Sequence, residues 1–365
     1  MNVWVVSHAY AAPINHDKLE ALARLPDLDL TVLAPVAWRT PLGVVRPPAP
    51  RGGYRLVGAR VLFNGRTGGY VFREGLSGLR AADVVHAEAE PWSLAALQCL
   101  LATPAPLVVF TWENLSGPRH PLGRAIERLV ARRAAFVIAG NQAARARMQR
   151  RGVGADRVAV LPQFGVDPER YGGSPRPPGA RVPGAPVVGY VGRLVPEKGV
   201  DLLLEAVDAL DARLVVVGDG PARRALEDRA RAWPAGKARF TGAVTHEEVP
   251  RWLEQLDVLV LPSRTTARWA EQFGHVLIEA MAAGVAVIGS SSGAIPEVVA
   301  DAGLLFAEGD AADLARQIHR LLGDAGLRRE LVARARARVA RDYTHAAVAA
   351  AQGAIYARLL AARPV

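Results

Sequence analysis

Glu271-Gln272-Phe273-Gly274-His275-Val276-Leu277-Ile278-Glu279 runs straight into the small-residue segment Ala280-Met281-Ala282-Ala283-Gly284. At about 3.6 residues per helical turn, the two carboxylates lie a little over two turns apart. If a helix begins at Gly274, Glu279 projects from its second turn and Glu271 stays in the loop ahead of it. The helix start then lies between the acids, with free backbone N–H groups facing the loop. That is a natural seat for a diphosphate or for sugar hydroxyls. One carboxylate can take hydroxyls from one end of a ligand, the other from the far end. Two solvated acids at a helix edge are the ordinary alternative.

Four further segments bear on the choice. In Gly189-Tyr190-Val191-Gly192-Arg193-Leu194-Val195-Pro196-Glu197-Lys198-Gly199, a strand ends in a glycine turn and two cations flank the loop before the next helix. Arg193 and Lys198 suit a diphosphate. Lys198 stands out because Lys18 and Lys237 are the only other lysines. A Walker loop is absent. Val215-Val216-Val217-Gly218-Asp219-Gly220 closes a strand on a tight turn that lets a ligand approach the backbone. Backbone groups around Val244, after Phe240-Thr241-Gly242, could read a flat base edge. Ser291-Ser292-Gly293-Ala294 is a small-residue turn entering a helix.

These segments sit in an alternation of strand and helix signals. Strands are expected at 3–6, 30–33, 84–86, 107–110, 136–139 and 158–161, with helices at 19–25, 93–101, 124–133 and 143–150. A Pro/Gly-rich stretch then reads as a linker over 173–185. The alternation restarts with strands at 187–191, 214–217, 239–241, 258–261 and 285–288 and helices between and after them. The reading is α/β, with two Rossmann-like domains. An N-terminal domain covers 1–172 and a C-terminal domain 186–345, and the last helix, 346–365, packs back on the first. Ligands in such sheets bind at the carboxyl ends of the strands, here in the interdomain cleft.

Composition sets outer bounds. The chain has 365 residues and half are hydrophobic, enough for two cores. No apolar run approaches the ~18 residues needed to span a membrane. The start, Met1-Asn2-Val3-Trp4-Val5-Val6, reads as a first strand and not as a signal peptide. Cys99 is the only cysteine, which excludes a disulfide framework and fits a reducing cytoplasm. The net charge of +10 is nearly all arginine, spread over many helices with no basic-aromatic recognition module, so no nucleic-acid partner is expected. No cluster has metal-ligand spacing. Asp27-Leu28-Asp29 has the look of an Asp-x-Asp metal site but lies in a Pro-flanked turn, and it is taken as a decoy.

From about Gly189 to Glu297 the chain resembles the donor-binding domain of the family 4 retaining glycosyltransferases, with the GT-B fold of two domains facing across a deep cleft. The resemblance implies a nucleotide-diphosphate sugar as donor, with no metal and no cofactor. By it, Arg193 and Lys198 hold the diphosphate and stabilise the leaving group. Glu271 faces the sugar hydroxyls, backbone amides of Phe273, Gly274, His275 and Val276 seat sugar and phosphate, and Glu279 holds the ribose. Val244 lies by the base, and Gly192 and Gly218 line the donor site. Two departures stand out. The loop Ser263-Arg264-Thr265-Thr266-Ala267-Arg268-Trp269-Ala270 is longer than the common one, and Gln272 replaces a frequent Gly.

The first domain is less legible. Ser7-His8-Ala9-Tyr10 follows strand one where a dinucleotide fold needs Gly-x-Gly-x-x-Gly, which argues against NAD. Asp83-Val84-Val85-His86-Ala87-Glu88 resembles the family's Asp-Val-Val-His-x-His strand end, with Glu88 in place of the second His. A carboxylate there could steady positive charge or accept the acceptor's proton, giving Glu88 a catalytic role; a strand-end acid binding acceptor hydroxyls, or merely solvated, is the alternative. His8, His16 and Glu113 are further acceptor-side candidates.

The implied activity is transfer of a sugar with retention, to a glycan, lipid-linked or small-molecule acceptor. Front-face return through a short-lived oxocarbenium pair is preferred because no protein nucleophile is evident. A GT-B sugar-nucleotide epimerase and a non-catalytic nucleotide-sugar binder are rivals, and a glycogen-phosphorylase-like enzyme, which needs a pyridoxal Schiff-base lysine, is poorly supported by a chain with three lysines, one of them in the donor loop. The expected location is cytoplasmic. In some relatives a basic first-domain helix sits on anionic lipid; here the arginines of 119–133 leave peripheral membrane contact open beside a solvated helix face.

Overall fold

The computed structural model describes residues 1–40, 43–115, 120–171 and 184–362. The chain divides into two compact units, Met1–Gly165 with His345–Val365, and Val166–Thr344. The first unit thus ends earlier than the expected boundary at 172. Val166 pairs with Thr344 and donates its N–H to Tyr343 O at 2.8 Å, which commits the segment to the second unit. Most of the expected linker, up to residue 183, lies outside the described residues.

In the first unit the strands are β1 (Asn2–Val6), β2 (Asp29–Pro35), β3 (Trp38–Thr40), β4 (Gly43–Val45), β5 (Tyr54–Ala59), β6 (Val61–Leu62), β7 (Val71–Phe72), β8 (Val84–Ala87), β9 (Leu107–Thr111), β10 (Phe136–Ala139) and β11 (Val158–Val160). The helices are α1 (His16–Ala23), α2 (Leu94–Ala102), α3 (Pro121–Arg133), α4 (Gln142–Arg150) and, at the end of the chain, α13 (His345–Ala361). Seven strands form a parallel sheet in the order β11-β10-β9-β8-β1-β2-β5. Its central strands are buried throughout, as a parallel sheet covered on both faces requires. One face packs against α2, α3 and α4, the other against α1 and α13, where Leu19, Leu22, Ala349 and Tyr356 meet Val3 and Val5. The six expected strands are present. β5 and the hairpins β3–β4 and β6–β7 were not expected, because their residues alternate irregularly between buried and exposed.

The second unit holds β12 (Val187–Val191), β13 (Arg213–Val217), β14 (Ala238–Phe240), β15 (Val258–Leu261), β16 (Ala286–Ser290) and β17 (Leu304–Phe306). They form a parallel sheet in the order β14-β13-β12-β15-β16-β17. Its helices are α5 (Pro168–Tyr171), α6 (Val200–Asp208), α7 (Arg223–Ala230), α8 (Val249–Leu253), α9 (His275–Ala283), α10 (Ile295–Val299), α11 (Ala311–Gly323) and α12 (Ala325–Arg338). The sequence reading missed β17 and the short helix α5.

Strand order locates the ligand ends. In the second sheet the chain leaves β12 toward β13 on one side and β15 lies on the other, so the switch point falls between β12 and β15. In the first sheet it falls between β1 and β8. Loops leaving the carboxyl ends of such strand pairs part and open a crevice. These are the loops that carry Lys198 and Glu271 in one unit, and His8 and Glu88 in the other.

Candidate functional site

The two loops at the second switch point converge on one ion pair. Lys198 ends a short 3-10 turn, Pro196–Lys198, and Gly199 caps α6 behind it. Its ammonium donates to Glu271 Oε2 at 2.5 Å, and Ser263 Oγ donates to the same oxygen at 2.8 Å. The ammonium also lies 4.9 Å from the Trp269 ring centre. Arg193 is exposed and has no carboxylate partner among the described residues, while its carbonyl is fixed by Tyr190 Oη at 2.8 Å. Among the described residues the site thus holds Lys198 paired with an acid and Arg193 with no carboxylate partner.

α9 begins beside this pair. Its N-cap is Gly274, which has no side chain to satisfy the first amides, and no acidic residue stands in the first turn. An uncapped helix start favours an anion. Glu271 lies in the loop before the helix and Glu279 in the helix, as the spacing predicted. Phe273 packs its ring against Tyr343 and His275, with centroids 5.6 and 5.9 Å apart. Val276 and Val244 are partly exposed.

Glu279 is almost fully buried in a polar nest. His275 Nδ1 lies 3.4 Å from its Oε1 and His246 Nε2 3.8 Å from the same oxygen. Tyr171 hydrogen-bonds the carboxylate and sits 3.1 Å from His246 Nε2. Burial alone would raise this carboxyl, but the His275 hydrogen bond, the two imidazoles and Tyr171 outweigh it and hold Glu279 below the usual range. Sequence reasoning missed Tyr171, His246 and Ser263. The first two come from segments distant in sequence and carried no signal.

Two glycines let the loops meet. Gly218 has φ +138°, and a Cβ there would stand 1.9 Å from Gly192 O, so the turns after β12 and β13 touch only because it lacks one. Gly218 N donates to Gly242 O at 2.9 Å, tying in the turn that precedes Val244. Gly293 has φ +54°, and a Cβ there would stand 2.1 Å from Glu271 O. Ala294 N donates to that same carbonyl at 2.9 Å. The small-residue turn 291–294 is thus the backing that sets Glu271.

The long loop 263–270 is an ordered structure. Arg264 pairs with Asp201 at 2.6 Å, and its N–H reaches Glu197 O at 2.7 Å. Thr265 Oγ1 meets Ser292 Oγ at 2.9 Å and Glu308 at 3.0 Å. The Thr266 hydroxyl accepts from the N–H of Arg268 and of Trp269, and Thr266 N donates to Trp269 O at 2.7 Å.

The crevice of the first unit is filled differently. Glu88 follows β8, and its carboxylate is buried in a closed network. Lys18 of α1 pairs with Oε1, Tyr10 Oη donates to Oε2 at 2.8 Å, and Gln163 Nε2 donates to Oε2 at 3.1 Å. Burial alone would raise Glu88, but the Lys18 charge, with His86 and Gln163, brings it below the usual carboxylate range. His86 Nδ1 joins Tyr356 Oη of α13 at 2.7 Å.

His16 is buried, with Nδ1 on Tyr54 Oη and Nε2 on Tyr10 O, both at 2.7 Å, so both ring nitrogens serve the fold. His8 packs against Trp38 and Tyr70, with centroids 4.7 and 5.4 Å away, and burial lowers its pKa to about 4. Glu113 is partly exposed just past β9, where its N–H donates to Thr111 Oγ1. Asp27 and Asp29 do not converge with a third ligand; Asp29 pairs with Arg55 at 3.2 Å. Among the described residues no group of three or more His, Cys, Asp or Glu side chains could hold a metal ion, and no helix is long and apolar enough to cross a membrane. α3 presents Leu122 and Leu129 to the outside beside Arg124, Arg128 and Arg132; Arg119 lies outside the described residues.

Comparison with known proteins places these features. Residues 176–338 match the family model of glycosyl transferases group 1, and residues 12–163 match that of the glycosyl transferase 4-like domain. The 2-deoxystreptamine glucosyltransferase of Streptomyces kanamyceticus is 34% identical over 221 residues, 56% of this chain and 56% of that protein. The alpha-D-kanosaminyltransferase of the same organism is 29% identical over 259 residues, 65% of this chain and 64% of that protein. The chain thus spans somewhat more than half the length of these curated relatives. Among solved structures, Anabaena HepE in complex with UDP superposes with a TM-score of 0.74 at 18% identity, covering 98% of this chain and 99% of that one. The fold is that of the GT-B enzymes, and the chain belongs to the group 1, family 4-type glycosyltransferases.

Proposed function

We propose that the protein transfers a sugar from a nucleotide-diphosphate sugar to an acceptor hydroxyl, with retention of configuration and without a metal. The observation that carries this is the convergence of Lys198 and Glu271 beside the uncapped start of α9. A cation for phosphate, a carboxylate for hydroxyls and a helix end for negative charge meet within one crevice.

In this reading the diphosphate lies along α9, between Arg193 and Lys198, and takes the Lys198 ammonium from Glu271. Glu271, released, accepts from hydroxyls of the sugar. Glu279 accepts from the ribose hydroxyls, its oxygens already oriented by His275, His246 and Tyr171. Val244 stands by the base. The bond from the anomeric carbon to the diphosphate oxygen breaks, and a bond to the acceptor oxygen forms on the same face. The acceptor's proton passes to the departing diphosphate, which leaves as the nucleotide. Arg193 and Lys198 stabilise the charge that builds on the leaving group, the part a metal plays elsewhere. The solved relative holding UDP makes uridine the first base to test. Polysaccharide, cell-envelope and natural-product glycosides are the acceptor classes in view, and the two Streptomyces relatives favour the last. His8 and Glu113 remain the acceptor-side candidates. A cytoplasmic location, with peripheral contact of α3 on anionic lipid, belongs to the same proposal.

The test is a panel of UDP-, GDP-, ADP- and dTDP-sugars, assayed for binding and for slow nucleotide release in EDTA. One donor that binds and releases its nucleotide, with loss in Lys198→Ala and Glu271→Ala, is the expected result. No binding by any donor overturns the reading. An isomerised free sugar makes the protein an epimerase.

A further inference from the structure

The loop between β15 and Glu271 carries one large aromatic residue among small and polar ones, and its placement is not accidental. Trp269 is partly exposed, yet its position is fixed from both ends of the loop. The Thr266 hydroxyl accepts its N–H at 2.9 Å, and its carbonyl accepts from Thr266 N at 2.7 Å. Arg264 and Thr265 anchor the preceding residues to Asp201, Ser292 and Glu308. With the backbone of Trp269 held in this way, its indole ring centre lies 4.9 Å from the Lys198 ammonium.

Lys198 has four carbon atoms of side chain, and that side chain is only 15% exposed. It needs a second support once its carboxylate partner is taken away. When a diphosphate draws the ammonium off Glu271, an aromatic face remains attractive to it at little cost, because the ring carries no net charge to compete with phosphate. A second carboxylate in that place would hold the lysine back.

We infer that Trp269 is a positioning residue for Lys198: it holds the ammonium over the diphosphate seat as the lysine exchanges Glu271 for phosphate. The inference rests on the donor-site reading above and adds to it a residue supplied by this chain's lengthened loop. Its signature is discrimination between a nucleoside diphosphate and the matching monophosphate, since the Lys198 contact is assigned to the diphosphate.

The experiment measures UDP and UMP affinity by calorimetry on the full chain, or the corresponding pair for whichever nucleotide binds. It compares wild type, Trp269→Ala, Trp269→Phe, Lys198→Ala and the Trp269→Ala/Lys198→Ala double variant. Trp269→Ala is expected to weaken UDP by about 5- to 30-fold while UMP stays unchanged. Trp269→Phe should restore most of the loss, and Trp269→Ala should add nothing once Lys198 is alanine. An equal loss for UDP and UMP means that the substitution merely disturbs the loop and overturns the inference. So does undiminished UDP binding in Trp269→Ala while Lys198→Ala loses it. If wild type and Lys198→Ala bind UDP and UMP alike, the donor-site reading itself fails, and the inference with it.

Discussion

Lys198 and Glu271, 73 residues apart in sequence, meet at 2.5 Å and lock the loop after β12 to the loop after β15. Glu271 is buried and Lys198 keeps partial exposure, and both sit where parallel strands diverge. In the proposed function the donor joins the same two loops. By that proposal a phosphate replaces Glu271 on the lysine, because it presents more negative charge to the ammonium than a single carboxylate does.

Loss of the cation is the direct test of its role. Lys198→Ala should lower kcat/KM for nucleotide-sugar turnover by about 10²- to 10³-fold, the scale of removing one donor to a developing anion. Steady-state nucleotide release measures it. A variant within about threefold of wild type would take Lys198 out of the leaving-group site.

The backing of Glu271 can be disturbed without touching either charge. Gly293→Ala places a methyl 2.1 Å from Glu271 O and demands φ +54° of an alanine. The turn must shift or the strain persist, at roughly 1–3 kcal/mol. Donor KM should rise and the thermal midpoint fall together. Wild-type KM with an unchanged midpoint would show that the turn does not set Glu271.

Glu88 separates a catalytic from a structural part. With Lys18, Tyr10 and Gln163 on its oxygens, we expect it to act through the fold. Glu88→Gln leaves the buried Lys18 ammonium without its counter-charge and should cost about 3–5 kcal/mol in urea unfolding. Joint replacement, Lys18→Met with Glu88→Gln, should recover part of that. Full stability with abolished turnover in Glu88→Gln would restore the catalytic assignment.

Acid should weaken the first unit through its buried imidazoles. Burial lowers His86 to about 4, against 6.5 for a free histidine. Between those values the unfolded chain takes up a proton that the folded one refuses. The contribution is complete above about pH 6.5 and is lost as pH falls toward 4, about 3 kcal/mol in all. His8, lowered to about 4 by burial, adds in the same direction. Urea titrations at pH 7.5 and 5.0 should show the drop, and His86→Gln should shallow it. Equal stability at the two pH values would contradict it.

Much of the local structure of the second unit was legible before any coordinates. The Glu271–Glu279 spacing, the loop of Arg193 and Lys198 and the glycine turns are local patterns on strands and helices that follow one another closely. The alternation of strands and helices could be read from periodicity, and the family resemblance rested on the motifs between Gly189 and Glu297. Less could be read of residues whose partners lie far along the chain. Tyr171 and His246 gather at Glu279 from segments 75 residues apart, and neither segment announces the other.

The first unit shows the same limit more sharply. Glu88 has the sequence position of a reaction-centre residue, and His16 reads as a loop histidine. Only packing brings Lys18 and Tyr10 onto Glu88 and closes both ring nitrogens of His16. The sequence by itself determined two α/β units, the placement of the Lys198 and Glu271 loops at strand ends, and the family. The tertiary structure alone decided how each acid is paired and solvated: Glu271 and Lys198 keep some contact with solvent, whereas Glu88 and Lys18 are fully buried. The reason is physical. Periodicity and spacing are encoded within a few turns of chain, but the solvation and pairing of a charge depend on what distant segments bring to it.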